Sequence, residues 1–188
     1  MKSLRLARPH AIMMVGIPGS GKSFFASKFA ETFGAPYIDS LVIEAHAKNT
    51  ESAGALIAIM VGEVAKTSQT FVFEGNSDTR ARRTEFARWA RSKGYQPLFV
   101  WVQIDESTAK NRTLKSQSLT ADGFAAVMQD FSPPHHDERP IVISGKHTYA
   151  SQARVVLNHL SRDGKLETDT PARTAPPARP AGRSVIVR

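Results

Sequence analysis

The sequence predicts an α/β chain in three layers, a mostly parallel five-stranded sheet with helices on both faces, on three observations. A glycine-rich octapeptide, Gly16-Ile17-Pro18-Gly19-Ser20-Gly21-Lys22-Ser23, lies between an apolar run, Ala11–Val15, and a segment of helical spacing, Lys22–Phe33. Four further short apolar runs alternate with helix-length stretches, and that alternation specifies parallel strands joined by crossover helices. The longest apolar run, Gly54 to Gly62, is too short to span a bilayer, so no membrane segment competes with this assignment.

Strand, glycine loop and helix, in that order, form the context of a phosphate-binding P-loop. Glycines let successive N–H groups turn into one concavity, and the new helix adds its unpaired N–H groups and positive dipole end. Lys22 is placed to reach the β- and γ-phosphates of a nucleotide, and the Ser23 hydroxyl to ligate Mg²⁺. The expected fold is therefore a three-layer P-loop NTPase fold. A chain of 188 residues fits one such domain, and none of its residues is cysteine, which excludes disulfides, thiolate metal sites and a Cys nucleophile. The net charge of +8 favours anionic partners. Lys2, Arg5 and Arg8 precede Ala11–Val15 as in a secretion signal, but no small-residue cleavage site follows, so a cytoplasmic protein without membrane contact is expected.

In chain order, Ala11–Val15 reads as a central strand. Its helix, Lys22–Phe33, carries Phe25, Phe29 and Phe33 at i, i+4 and i+8 as a core stripe and ends at Gly34. Pro36–Asp39 is a second strand that delivers Asp39 at its carboxyl end, where open parallel sheets bind ligands. Asn49 or Thr50 caps a helix, Glu51–Lys66, apolar nearly all round from Ala53 to Val61 and so expected to be buried against the sheet or a partner. Thr70–Gly75 is a third strand ending in Glu74, an acid placed to hold Mg²⁺. Asp78 or Thr79 caps a helix to Lys93, with Phe86, Trp89 and Ala90 on one face and Arg80, Arg83, Arg88 and Arg91 opposite. Arg80 and Arg83 are candidates to touch ligand or acceptor. Pro97–Ile104 is the fourth strand. Asp105 opens a helix to Lys115, and Thr120 caps another, Asp122–Phe131; the mobile lid is expected here. Pro140–Ser144 is the fifth strand, followed by a turn and a helix to Leu160. His135-His136-Asp137-Glu138 reads as solvated loop rather than metal site. Residues 1–162 form the expected domain. The remaining 163–188 are a Pro/Ala/Arg-rich tail whose strand-like tip, Ser184–Arg188, could dock on a sheet edge and support self-association.

This order of motifs resembles the P-loop kinases of the polynucleotide kinase and zeta-toxin type, among them bacterial predicted kinases and AAA-family ATPases. The resemblance rests on Gly16–Ser23, Tyr37-Ile38-Asp39-Ser40, Phe73-Glu74-Gly75, Arg82-Arg83 and Lys110-Asn111-Arg112, and covers about residues 10 to 160. It implies ATP and Mg²⁺ as cofactors, Arg112 as a lid arginine over the phosphates, and Gly145–Thr148 beside the adenine. The implied nucleotide site is Gly16, Pro18, Gly19, Ser20, Gly21, Lys22, Ser23 and Phe24, with Arg112, Lys146 and Thr148 around it. Ser23, Asp39 and Glu74 would hold the metal; Lys22, Asp39, Glu74 and Arg112 would carry catalysis. The family often has a second acid two residues after the first, and here that position is Leu41. Glu44 stands where polynucleotide kinases carry an acceptor-binding arginine. Activation of an acceptor hydroxyl then falls to Asp39, Glu44 or Glu74, or is absent.

Three functions fit. The first is transfer of the γ-phosphoryl of MgATP to a hydroxyl of a small molecule or nucleic acid. The second is an ATPase or ATP-binding regulatory protein without an acceptor. The third is a nucleic-acid-associated NTPase using the Arg80–Arg91 face. AAA-type ring assembly is disfavoured, because too few residues follow the fifth strand to build a helical lid domain.

Overall fold

The structure, a computed structural model, describes residues 6–166, with side chains to 162. Five strands form one sheet in the order β2-β3-β1-β4-β5, all parallel: β1 (His10–Val15), β2 (Tyr37–Asp39), β3 (Phe71–Glu74), β4 (Gln96–Gln103) and β5 (Ile141–Ser144). The central strand β1 is buried along its whole length, which explains its unalternating apolar sequence. Each face of the sheet has its own core. On one face Ile12, Met14, Val72 and Val100 meet Phe25 and Phe29 of α1 (Lys22–Phe33) and Val156 and Leu160 of α7 (Tyr149–Leu166). On the other, Met13, Phe71, Phe73 and Phe99 meet Ile57 and Val61 of α3 (Thr50–Lys66) and Phe86 and Ala90 of α4 (Arg80–Ser92). This is the expected three-layer arrangement.

The phenylalanine stripe of α1 is core. The Phe25 and Phe29 rings stack with centroids 5.4 Å apart, and each buried ring contributes roughly 1.5–3 kcal/mol. Gly34 closes the helix in the left-handed conformation, φ 63°, which a side chain at that position would resist. Expected caps are in place: Asn49, Thr79, Asp105 and Thr120 each accept an amide hydrogen from the first turn of their helices. For α5 (Glu106–Lys115) and α6 (Ala121–Asp130) this fixes the starts within one residue of expectation.

Four features depart from the sequence reading. A short helix, α2 (Ser40–His46), follows β2 directly, with Asp39 as its cap. Helix α3 is not buried all round: Leu56, Ile59 and Met60 are exposed, because only its Ala53-Ile57-Val61 face meets the sheet. In α4, Arg83 joins the buried face with Phe86, Ala87 and Ala90 rather than the solvent face. Finally, α7 runs to Leu166, past its expected end at Leu160. The expected strand at the tip, Ser184–Arg188, lies outside the described residues.

Candidate active site

The octapeptide forms a turn between β1 and α1 in which Gly16, Gly19 and Gly21 have φ of 146°, 75° and 100°. These values favour glycine, and space demands it as well. A Cβ on Gly19 would lie 2.3 Å from the Ala109 carbonyl oxygen of α5, and one on Gly16 would lie 2.7 Å from that of Val102. The loop is thus wedged between β4 and α5. A third contact comes from the turn after β5, where a Cβ on Gly145 would lie 2.3 Å from the Ser20 carbonyl oxygen. Lys22 is half-buried, and its ammonium donates to the Ile17 carbonyl at 3.1 Å, curled over the loop. Burial lowers its pKa from the ordinary 10.5, against the opposing pull of Glu74 and Asp39. The Ser20 hydroxyl is fully buried in this loop without a hydrogen-bond partner.

Beside the loop, the parallel register sets Asp39 of β2 opposite Glu74 of β3, and Glu74 opposite Met14 of β1. Both expected acids therefore arrive together at the carboxyl ends of adjacent strands. Glu74 is buried; its Oε1 accepts from the Ser23 hydroxyl at 2.9 Å. Its Oε2 accepts from the Tyr37 hydroxyl at 2.8 Å, and the same hydroxyl lies 3.2 Å from Asp39 Oδ2. Asp39 Oδ1 accepts the Leu41 amide at 3.0 Å, as the cap of α2. Burial, followed by the charges and hydrogen bonds of Glu74 and Asp39, raises the Tyr37 pKa far above the phenol range, so Tyr37 stays protonated and donates. Tyr37 was missed in the sequence reading. Its spacing could have shown it: two residues before Asp39 on a strand, it must share that residue's face.

Ser23, Asp39 and Glu74 fit a magnesium ion. All are hard oxygen donors, and Mg²⁺ is commonly held by one or two carboxylates together with substrate phosphates rather than by an all-protein cage. Among the described residues no group of three or more His, Cys, Asp or Glu could hold a metal ion.

The base-side residues are more dispersed. The Arg112 guanidinium donates to the Gly145 carbonyl at 3.2 Å. Since Gly145 abuts Ser20, this ties α5 to the turn that flanks the loop. Lys146 pairs with Asp105 at 2.6 Å, and that contact leads the bonds that hold the Asp105 carboxyl far below the usual range. Thr148 is engaged at the start of α7, where its Oγ1 meets the Ser151 hydroxyl and amide. Pro18 sits in the turn of the loop, and Phe24 is exposed beside Ser23.

The arginines near the site are committed elsewhere. Arg83, expected as a candidate ligand contact, is fully buried and forms a two-bond pair with Glu138, Nε to Oε2 at 2.7 Å and Nη2 to Oε1 at 3.0 Å. Its Nη1 donates to the carbonyls of Ser77 at 2.9 Å and Ser132 at 2.8 Å. Glu138 is consequently not a solvated loop residue. Arg80 pairs with Asp137 at 2.5 Å and Arg82 with Asp78 at 3.0 Å.

Sheet order, glycine loop and paired acids define a P-loop protein of kinase-like fold. The family model described as AAA domain matches residues 12–131, and the chain belongs to that family. Among solved structures, the chain is similar to a gluconokinase from Sinorhizobium meliloti 1021, at 18% identity and a TM-score of 0.66, covering 86% of this chain and 98% of that one. It is also similar to a sugar kinase from Janibacter sp. HTCC2649, at 16% identity and a TM-score of 0.62, covering 82% and 95%. An APS kinase from Mycobacterium tuberculosis, solved with AMPPNP and APS, matches at 17% identity and a TM-score of 0.62, covering 82% and 98%. At such identities the likeness is one of fold. No curated protein sequence matches the chain. Among the described residues no helix is long and apolar enough to cross a membrane.

Proposed function

We propose that this protein binds MgATP at Gly16–Ser23 and passes the γ-phosphoryl group to a hydroxyl of a small molecule. The observation that carries this reading is the meeting of Lys22, Ser23, Asp39 and Glu74 at the carboxyl ends of β1, β2 and β3. In it Lys22 leaves the Ile17 carbonyl to neutralise phosphate charge, and Ser23, Asp39 and Glu74 would hold Mg²⁺, which supplies charge neutralisation of the phosphates when bound. Asp39, fixed by the Leu41 amide, orients the acceptor hydroxyl, with Arg112, Lys146 and Thr148 bordering the nucleotide.

Of the two acceptor classes, charge favours the small molecule. A polynucleotide is held mainly through its phosphates by basic side chains. Here Arg80, Arg82 and Arg83, the first three arginines of α4 after Glu74 in the chain, are each paired with a carboxylate. The cleft of about 820 Å³ that gathers Arg8, Arg80, Arg91 and Arg139, with Asp137 and Glu138 among them, lies along Gln96–Phe99, the amino half of β4, rather than at the carboxyl end of that strand.

A second reading, ATP hydrolysis or ATP-dependent regulation without an acceptor, is favoured by Leu41, 65% exposed where related kinases place an acid. One experiment separates them: incubation with γ-labelled ATP and a panel of sugars, nucleosides, antibiotics and oligonucleotides. Labelled small-molecule product is expected. Free phosphate alone establishes the second reading, and labelled oligonucleotide overturns the choice of acceptor. Lys22→Ala is expected to weaken ATP binding about tenfold or more, 1.4 kcal/mol per decade, without unfolding the chain. Unchanged affinity refutes the phosphate assignment.

A further inference from the structure

The proposed reaction uses Ser23, Asp39 and Glu74 but gives no task to the hydroxyl that touches two of them. Asp39 and Glu74 are neighbours across parallel strands, and like charges so placed repel. Each carboxylate has one oxygen pinned by a separate donor, Asp39 Oδ1 by the Leu41 amide and Glu74 Oε1 by Ser23. The remaining two oxygens, Asp39 Oδ2 and Glu74 Oε2, converge on the Tyr37 hydroxyl at 3.2 and 2.8 Å. That hydroxyl has one proton, which it shares between two acceptors. Among the described side chains it is the group that bonds to both acids, and the strand that positions it also positions Asp39.

We infer that Tyr37 is a positioning residue that clasps Asp39 and Glu74 into a preformed divalent-cation site, an inference that rests on the phosphotransfer reading. Mg²⁺ demands near-ideal octahedral geometry, so a site whose carboxylates are already gathered spends less of the binding free energy on collecting them. Without the hydroxyl the two carboxylates separate, and the cation has to bring them back together. The ring of Tyr37 packs against the α1 face of the core, so Tyr37→Phe keeps the packing and removes only the bridge.

The test follows ATP binding by calorimetry in EDTA and across a Mg²⁺ titration, for wild type, Tyr37→Phe and Lys22→Ala. For Tyr37→Phe the Mg²⁺ concentration giving half-maximal tightening is expected to rise about 10- to 100-fold, the usual effect of losing a partner of a metal-ligating carboxylate. Its ATP affinity in EDTA stays within about twofold of wild type, since the hydroxyl donates to Asp39 and Glu74 and not to the loop. A Mg²⁺ midpoint that is unmoved or lower overturns the clasp and leaves Tyr37 a packing residue. On an Asp39→Asn background, where one charge of the pair is gone, Tyr37→Phe is expected to shift the midpoint by less than about twofold; full additivity overturns the inference. Wild-type protein labelled with fluorotyrosine gives a readout without any change at Tyr37. Of its three tyrosines, Tyr37 alone is expected to shift when Mg²⁺ is added to the ATP complex, and a silent Tyr37 resonance counts against the clasp. Wild-type ATP binding that is indifferent to both Lys22→Ala and Mg²⁺ removes the phosphotransfer reading, and the clasp with it. A Lys22- and Mg²⁺-dependent wild type with an unmoved variant removes the clasp alone.

Discussion

Replacing Arg83 with methionine tests whether a buried charge, rather than catalysis, accounts for the most enclosed arginine among the described residues. Arg83 is fully buried, and Glu138 has only 8% of its side chain exposed. The substitution removes both guanidinium bonds to Glu138 and the donors to the Ser77 and Ser132 carbonyls, while Glu138 Oε1 keeps the His135 amide at 2.8 Å. Breaking one partner out of a buried pair costs about 3–5 kcal/mol, because the other is left charged and desolvated. Urea unfolding is the assay: at an m-value of about 2 kcal/mol/M, the midpoint should fall by about 2 M. The double variant Arg83→Met/Glu138→Leu should recover much of the loss, since the orphaned charge is gone. A loss under about 1 kcal/mol for the single variant would show the pair to be no stronger than a surface one, and the reasoning would fail. The pH dependence has a definite sign. Burial works to raise the Glu138 pKa, but the Arg83 bonds and the His135 amide bring it below its ordinary 4.5. The unfolded state therefore binds the proton first on acidification. The stability from this pair is complete above about pH 4.5 and is lost as pH falls through the lowered folded value; Arg83→Met should flatten that acid limb.

Gly145→Ala is expected to weaken ATP binding through a cost of about 1–3 kcal/mol, because the new methyl must displace the Ser20 carbonyl, 2.3 Å away, and with it the loop. Calorimetric affinity equal to wild type would show that the loop yields freely. Burial lowers the Lys22 pKa, so in the free protein the ammonium is lost at a pH below the ordinary 10.5. ATP affinity should accordingly begin to fall at a lower pH than it would for a solvated lysine, and a profile flat to pH 10.5 would contradict this. The same shift makes the unfolded chain the better proton binder, so this group's contribution to stability in the absence of nucleotide rises with pH across that window.

The fold was legible in the sequence wherever local chemistry decided it. Ala11–Val15 is apolar at every position because β1 has a sheet neighbour on both sides and a helical layer on both faces. Asn49, Thr79, Asp105 and Thr120 announced their helices because capping is a contact with residues two or three positions away. Where a distant partner decided, the sequence misled. Arg83 looked like a solvent-facing member of an arginine row, and it is buried because Glu138, 55 residues later, folds back onto it. Likewise α3 is apolar on sides that the sheet does not reach: the sheet covers its Ala53-Ile57-Val61 face and leaves Leu56, Ile59 and Met60 exposed.

The same division runs through the site. The proposed phosphate half draws its donors from the contiguous Gly16–Ser23, so its candidate residues could be read from eight adjacent letters, although β4, α5 and Gly145 that wedge the loop could not. The acid half is assembled across strands: Asp39, Glu74 and Tyr37 meet only because β2 and β3 pair in one particular register, Tyr37 beside Val72 and Asp39 beside Glu74. A slip of one residue would turn Asp39 and Tyr37 to the opposite face, break the clasp and leave Glu74 with Ser23 alone. Whatever metal affinity the protein has is thus coupled to the pairing of a three-residue edge strand. Helix α2, capped by Asp39 itself, anchors the far end of that strand. Weakening the cap should therefore raise the Mg²⁺ requirement before it lowers the affinity for ATP in EDTA, because the octapeptide takes none of its hydrogen bonds from β2.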